Sequence, residues 1–141
     1  MPDAVVVPLG HGTLFLGAYR GFRALVEAGW TDAIPRLLAV QAAGYAPIAG
    51  DTGESTNDLA DGIQVREPVR REAVVSAIDA TDGDAIPVSE ADVRRAHDRL
   101  GRLGFDVEPT AAAAVAGLRR YRDRGTLDGD DVVVPLTGRG K

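Results

Sequence analysis

The sequence predicts an α/β fold in three layers, in which a mostly parallel sheet of about four strands is flanked by helices. Short nonpolar runs rich in β-branched residues alternate with longer segments whose nonpolar residues recur every three to four positions. Strands separated by helices in this way pair in parallel through crossover connections. A hydrophobic fraction of 45% over 141 residues fits one globular domain, residues 1–141, and no internal repeat divides it.

The first half of the chain predicts two buried strands with one helix between them. Residues 4–7 form a continuous nonpolar run, which is typical of a parallel strand covered on both faces. A helix is predicted from Thr13 to about Gly29. Its nonpolar face consists of Phe15, Tyr19, Phe22 and Val26. Residues 36–40 predict the second strand, and residues 44–62, rich in glycine and polar residues, predict a long irregular segment.

The second half predicts three helices and two strands. Pro68 suits the first turn of a helix that buries residues including Val69 and Val74. Residues 85–88 predict a strand that its proline confines to an edge of the sheet. Ser89 and Asp92 form a capping-box pattern before a nonpolar stripe that ends at Leu103. The alanine-rich residues 110–124 predict the last helix, and residues 131–136 predict the last strand.

Composition excludes several classes of function. Because the chain has no cysteine and two isolated histidines, we expect no disulfide, no thiolate catalysis and no metal site. A formal net charge of −5 argues against nucleic acid as a partner. No run approaches the ~18 nonpolar residues of a membrane span. The first residues also lack the basic region of a signal peptide, so we expect a cytoplasmic protein with no membrane partner.

A glycine loop separates the first strand from the first helix, and it contains Gly10, His11, Gly12 and Thr13. Glycines let a backbone approach a ligand closely, and the N–H groups at a helix start carry partial positive charge, so phosphate is the expected guest. Open α/β sheets bind ligands at the carboxyl ends of their strands, where this loop lies. The alternative is a tight turn that only connects strand to helix, with His11 as an ordinary polar residue. The spacing matches neither a dinucleotide fingerprint nor a P-loop.

Five segments of the chain, taken in order, carry a family resemblance. Residues 8–14 (PLGHGTL) resemble a glycine-rich phosphate loop, and residues 36–48 (RLLAVQAAGYAPI) resemble the strand and turn that follow it. Residues 59–63 (LADGI), 105–112 (FDVEPTAA) and 134–141 (VPLTGRGK) resemble three later motifs. The order and coverage are those of threonine synthases, which are pyridoxal-phosphate (PLP) enzymes of fold type II, the tryptophan synthase β-like group. The match corresponds to the C-terminal half of such an enzyme.

The resemblance implies roles for individual residues. Backbone amides of Gly10, His11, Gly12 and Thr13 would hold the phosphate of PLP, and the hydroxyl of Thr137 would bind the pyridine nitrogen. A neutral hydroxyl does not force protonation of the ring as a carboxylate would, so it tunes the cofactor's demand for electrons. On the residues alone, Thr137 is better interpreted as a hydroxyl that caps the turn before Gly138. Asp61 and Glu108 are likewise interpreted as a turn residue and a carboxylate at a helix start, with positions beside the active site as the alternative.

The chain departs from the family in length. The N-terminal half, which carries the Schiff-base lysine, has no counterpart in residues 1–141, and the only lysine, Lys141, matches the terminal motif. The resemblance therefore implies that this chain holds no catalytic residue and is inactive alone. An uncovered sheet edge pairs readily with another chain, so we expect a homo-oligomer or a partner that supplies the missing half.

Three hypotheses of function follow. The first is the C-terminal part of a PLP-dependent lyase resembling threonine synthase, whose amino-acid substrate, phosphohomoserine, is converted to threonine. A part of an enzyme resembling the threonine or serine dehydratases is the close alternative. A non-catalytic module that binds a phosphorylated ligand is favoured for the chain alone by its lack of an internal lysine. A fragment without present function would respond to no ligand.

Overall fold

The computed structural model describes residues 1–50, 56–128 and 131–140. Its four strands are β1 (Ala4–Pro8), β2 (Arg36–Ala42), β3 (Asp84–Val88) and β4 (Val132–Val133). They form one sheet in the order β3-β2-β1-β4, and every neighbouring pair is parallel. The carboxyl ends of the strands therefore meet at one edge of the sheet, named here the carboxyl edge.

Helices cover both faces of the sheet. The described residues form α1 (Thr13–Glu27), α2 (Arg71–Ala80), α3 (Glu90–Arg102), α4 (Pro109–Asp123) and a 3-10 turn, Asp61–Ile63. Helices α1 and α2 pack on one face, whereas α4 packs on the other and carries α3 on its outer side. The predicted three-layer α/β fold is confirmed.

Alternation along the strands divides the core between the two faces. Val5 and Val7 face the α1 and α2 side, where they meet the buried Phe15. Val6 and Val40 face α4. Because strands of a sheet covered on both faces bury every residue, β1 is buried along its whole length.

Helix α4 lies close to the sheet because its contact face is made of very small residues. Ala111, Ala112, Ala113 and Ala114 are fully buried. Further along the same helix, a β-carbon built on Gly117 would lie 2.1 Å from Cγ2 of Val40. Glycine at position 117 is therefore the residue that permits this distance between helix and strand.

Several predicted details agree with the structure. Strand β3, which contains Pro87, lies at an edge of the sheet. The capping box at the start of α3 is present, since the Ser89 hydroxyl accepts a hydrogen bond from the Asp92 N–H and the Asp92 carboxylate accepts one from the Ser89 N–H. Each satisfies one of the N–H groups that a helix start leaves without a partner.

Other predicted details are wrong. Helix α2 begins at Arg71 rather than Pro68, because residues 68–70 form a turn whose Pro68 carbonyl accepts the Arg71 N–H, and Val69 is 83% exposed. Leu103 follows the end of α3 and is 65% exposed. The last strand pairs with β1 only at Val132–Val133 rather than over residues 131–136, since Pro135 in the predicted run has no N–H to donate to a ladder. Of the predicted irregular segment, residues 51–55 lie outside the described residues.

Tyr121 joins α4 to the sheet through a polar contact inside the core. Its buried phenol O–H donates a hydrogen bond of 2.7 Å to the Ala39 carbonyl. Burial raises the pKa of Tyr121 far above its ordinary value, and the nearby charge of Asp84 raises it further. The side chain therefore stays neutral in the folded protein at pH values where an exposed tyrosine ionises.

We expect this tyrosine to weaken the fold at alkaline pH. Since the unfolded phenol loses its proton near pH ~10 and the folded one does not, stability falls as pH rises above ~10, by at most about 1.4 kcal/mol per pH unit. Tyr121→Phe should cost about 1 kcal/mol at neutral pH through the lost hydrogen bond, and it should flatten the alkaline decline. Urea unfolding across this pH range measures both effects. Tyr45→Phe, at a half-buried tyrosine, is the control. If the free energy of unfolding fell with the same slope above pH ~10 in Tyr121→Phe and in the wild type, the expectation would be contradicted.

None of the described helices combines the length and the nonpolar character needed to cross a bilayer.

Candidate phosphate site at the carboxyl edge

The glycine loop occupies the carboxyl end of β1. The Leu9 N–H donates to the Val40 carbonyl at 2.8 Å, which continues the β1–β2 ladder by one bond and fixes the start of the loop. Gly12 is the N-cap of α1 and has a φ of 95°, in the left-handed region that favours glycine. The chain thus passes from strand to helix within the four residues 9–12.

The start of α1 has the features of an anion site. The first N–H groups of any helix lack partners inside the helix and carry partial positive charge. At α1 no side chain caps them, and the first turn contains no acidic residue. Both His11 and Thr13 are exposed beside this helix start. An anion placed here would meet backbone donors without displacing a protein group.

The glycines of the loop pack closely against neighbouring segments, and Gly12 has no room for a side chain. A β-carbon on Gly12 would lie 2.6 Å from Cγ2 of Val74 in α2. One on Gly10 would lie 3.4 Å both from the Gly62 carbonyl oxygen and from Cγ2 of Val65. The shape of the loop is therefore set from both sides by packing against α2 and against residues 62–65.

Two motifs distant in sequence meet beneath the loop. The Gly62 N–H donates to Oγ1 of Thr110 at 2.9 Å, and this hydroxyl donates to Asp61 Oδ1 at 3.4 Å. Gly62 also lies against Gly10, as described above. The start of α4, the 3-10 turn and the glycine loop therefore form one stack. Asp61 is an exposed turn residue, as predicted, and its carboxylate accepts the hydrogen bond from Thr110.

Thr137 lies on the segment that follows β4, the strand next to β1. The Glu108 N–H donates to the Gly138 carbonyl at 3.0 Å, and the Gly140 N–H donates to the Asp106 carbonyl at 3.1 Å. These bonds hold residues 137–140 against the strand-like segment before α4. Thr137 is exposed, and its hydroxyl makes no hydrogen bond to another described residue. Because β1 and β4 are parallel neighbours, Thr137 and the glycine loop both follow the carboxyl edge.

Two buried polar side chains were not predicted as part of this edge. The Oε1 atom of Gln41 accepts hydrogen bonds from the N–H groups of Ile48 and Ala49, at 3.1 and 2.9 Å. Asn57 donates to the Val88 carbonyl at 3.1 Å and accepts from the Leu59 and Ala60 N–H groups at 3.2 Å. They fix the irregular chain that leads to the 3-10 turn. The sequence signal for Gln41 is one polar residue inside the otherwise nonpolar run of residues 37–43.

Three further expectations concern Glu108, Lys141 and a metal site. Glu108 is the N-cap residue of α4 and makes no side-chain capping bond there. Lys141 lies outside the described residues. Within the part of the chain that the structure describes, no group of three or more histidine, cysteine or acidic residues is placed to hold a metal ion.

Comparison with known proteins gives consistent relatives. The threonine synthase of Methanosarcina acetivorans is 35% identical over 147 aligned positions, which cover 97% of this chain and 36% of that protein. The threonine synthase of Mycobacterium tuberculosis is 30% identical, with coverages of 99% and 39%. The chain thus spans less than two fifths of the length of these curated relatives.

Solved structures show the same fold. The threonine deaminase of T.th. superposes with a TM-score of 0.72 at 24% identity, covering 100% of this chain and 51% of that one. Maize serine racemase superposes with a TM-score of 0.67 at 23% identity, with coverages of 99% and 44%. The family model described as pyridoxal-phosphate dependent enzyme matches residues 1–138. With nearly all of its length matched, the chain belongs to the pyridoxal-phosphate-dependent enzyme family.

Proposed function

We propose that the chain is the C-terminal, cofactor-phosphate-binding part of a PLP-dependent lyase of the threonine synthase kind. The observation that carries the proposal is the glycine loop, which presents bare backbone at the uncapped start of α1. Phosphate is the anion that such helix starts bind in α/β proteins. The threonine synthases of two organisms, at 35% and 30% identity, support this reaction among those of the family.

The residues of the loop fit the phosphate of the cofactor. Backbone amides of Gly10, His11, Gly12 and Thr13 would surround the phosphate, and the contact of Gly12 with Val74 of α2 would hold this part of the loop in shape. The Thr137 hydroxyl, exposed on the neighbouring segment, would bind the pyridine nitrogen. When bound, PLP supplies an electron-withdrawing ring that assists elimination from an amino-acid substrate. The chain's own residues anchor and orient that ring.

The chain contributes no lysine to this chemistry. Lys141 is its only lysine, so the amine that engages the cofactor's aldehyde would come from another polypeptide segment or partner. We propose that an N-terminal half, or another copy of the chain, completes the site across the open edge beside β4. The completed enzyme would bind phosphohomoserine, release its phosphate and yield threonine. The chain alone would bind cofactor without turnover.

Two alternatives remain in the proposal. An enzyme resembling threonine or serine dehydratases would use the same loop to bind the cofactor phosphate. The solved structures at 23–24% identity show only that the fold is shared, so they do not decide between the two reactions. A non-catalytic phosphate-binding module is favoured by the missing internal lysine. The two differ in ligand: a dehydratase part recognises the pyridine ring and the phosphate together, whereas a module would accept phosphorylated ligands without that ring.

The test uses 4′-deoxypyridoxine 5′-phosphate, which keeps the ring and phosphate of PLP but lacks the aldehyde. Because a ligand of the folded state stabilises it by mass action, we expect this compound to raise the melting temperature and pyridoxal, which lacks phosphate, to leave it unchanged. Borohydride treatment after PLP binding should trap no adduct at an internal residue. An unchanged melting temperature with the phosphorylated compound would disprove the proposed cofactor site. An equal rise with inorganic phosphate alone would favour the non-catalytic module.

A further inference from the structure

A second site is indicated away from the glycine loop, in a groove between α3 and α4. The groove has a volume of about 840 Å³, and it runs beside the C-terminal half of α4. Thr110, at the other end of this helix, contacts the 3-10 turn under the glycine loop. Thr110 and Arg119 are nine positions apart in α4, a distance of about 14 Å along the axis, so the groove is separate from the proposed cofactor site.

The groove concentrates positive charge in an acidic chain. It is lined by five arginines, Arg95, Arg99, Arg119, Arg120 and Arg122, but by only two aspartates, Asp92 and Asp123. The whole chain has a formal net charge of −5. We name this feature the arginine groove. Its charge is opposite in sign to that of the molecule around it.

Most of this positive charge is not neutralised within the fold. Arg95 pairs with Asp92, and Arg120 donates to the Pro87 carbonyl at 2.9 Å. The guanidinium groups of Arg99, Arg119 and Arg122 make no hydrogen bond or ion pair with any other described residue. Two rows of like charge therefore face one groove, and like charges at helical spacings of three and four repel one another. A multivalent anion would relieve that repulsion.

The shape and lining of the groove narrow the class of anion. Guanidinium groups bind phosphate oxygens in a bidentate manner, and several around one cavity suit an anion with more than one phosphate. The floor is aliphatic, with Ala96, Val115, Ala116 and Leu118. A volume of about 840 Å³ lies within the usual range of sites for small molecules. We infer that the arginine groove binds a diphosphate or triphosphate group, either free or carried by a molecule whose nonpolar part rests on this floor.

The test compares two double variants with equal loss of charge. Arg99→Gln with Arg119→Gln removes two unpaired arginines that line the groove, whereas Arg94→Gln with Arg124→Gln removes two exposed arginines, on α3 and at the end of α4, that do not line it. Tripolyphosphate binding is measured by titration calorimetry at low and high salt. We expect the groove variant to bind it at least about tenfold more weakly than the wild type, and the control to change less than about twofold.

Two further measurements separate the outcomes. Far-ultraviolet circular dichroism checks that each variant is folded. Without anion the groove variant should melt close to the wild type, because the relief of repulsion offsets the loss of Arg99, a favourable cation in the last turn of α3. If a nucleoside triphosphate binds more tightly than tripolyphosphate, the nonpolar part of the ligand rests on the aliphatic floor of the groove. Equal affinities would indicate that the groove binds the free polyphosphate anion. The inference is wrong if tripolyphosphate fails to bind the wild type, or if the two double variants bind it equally.

Discussion

Gly117→Ala is expected to lower the free energy of unfolding by about 2 kcal/mol, because a new methyl group meets the sheet. The added β-carbon would lie 2.1 Å from Cγ2, 2.9 Å from Cγ1 and 3.1 Å from Cβ of Val40. Val40 is fully buried in β2, and both of its methyl groups are close to the new atom, so rotation of its side chain gives no relief. Helix α4 must instead move away from the strands, and the contacts of its buried alanines weaken. Urea unfolding of the variant measures the loss.

A matched glycine on α3 supplies the control. Gly101 is also inside a helix, but a β-carbon there would have no atom within 4 Å. Gly101→Ala should therefore stabilise the protein by about 0.5–1 kcal/mol, through the higher helix propensity of alanine. The two substitutions are chemically identical and should have opposite signs. If Gly117→Ala stabilised the protein as Gly101→Ala does, the close packing of α4 on β2 would be contradicted.

Gly12→Ala is expected to weaken phosphate binding at the glycine loop strongly. Alanine at a φ of 95° is strained by about 1–3 kcal/mol, and its β-carbon would lie 2.6 Å from Cγ2 of Val74. The helix start must change shape, so the N–H groups no longer converge on one anion. We expect affinity for 4′-deoxypyridoxine 5′-phosphate to fall by more than about tenfold, measured by titration calorimetry.

Gly17→Ala, in the second turn of the same helix, is the control for this variant. A β-carbon at Gly17 has no neighbour within 4 Å, so affinity should be unchanged and stability slightly increased. Adding Val74→Ala to Gly12→Ala removes the clash but keeps the backbone strain. Recovery of affinity in that double variant would show that the contact with Val74, rather than the φ of Gly12, shapes the loop. Unchanged affinity in Gly12→Ala itself would remove the glycine loop from the proposed function.

Most helices and strands could be predicted because residues within each segment determine where it begins and which face it buries. The capping box of Ser89 and Asp92 satisfies helix N–H groups by itself, so α3 begins where the pattern places it. The start of α2 was predicted three residues too early, at Pro68, because proline suits a β-turn as well as the first turn of a helix. The last strand was predicted too long because a nonpolar run marks the burial of a segment and not the residues that pair with a neighbouring strand. The parallel order followed from the crossover rule.

The candidate site likewise has a part that the sequence predicted and a part that it did not. The glycine loop is a contiguous motif, so Gly10 and Gly12 could be selected from the sequence. The stack of the loop, Gly62 and Thr110 joins residues 48 positions apart through one hydrogen bond and one close contact. Neither a period nor a spacing marks such a contact. The buried role of Asn57 was hidden for a similar reason, since its bonds satisfy backbone groups of an irregular segment.

The pairing of β4 with β1 has a consequence for the order of folding. Asp3 and Asp131 are joined by two hydrogen bonds, of 2.8 and 2.9 Å, across 128 positions of sequence. Closing so long a loop costs more entropy than forming the crossover from β1 through α1 to β2, and pairings of high contact order are slow. We expect the glycine loop to take shape early and the segment of Thr137 to dock last. A cofactor held by both would thus act as a late folding partner, since it would bind the half-built sheet through its phosphate and then hold the final strand in place.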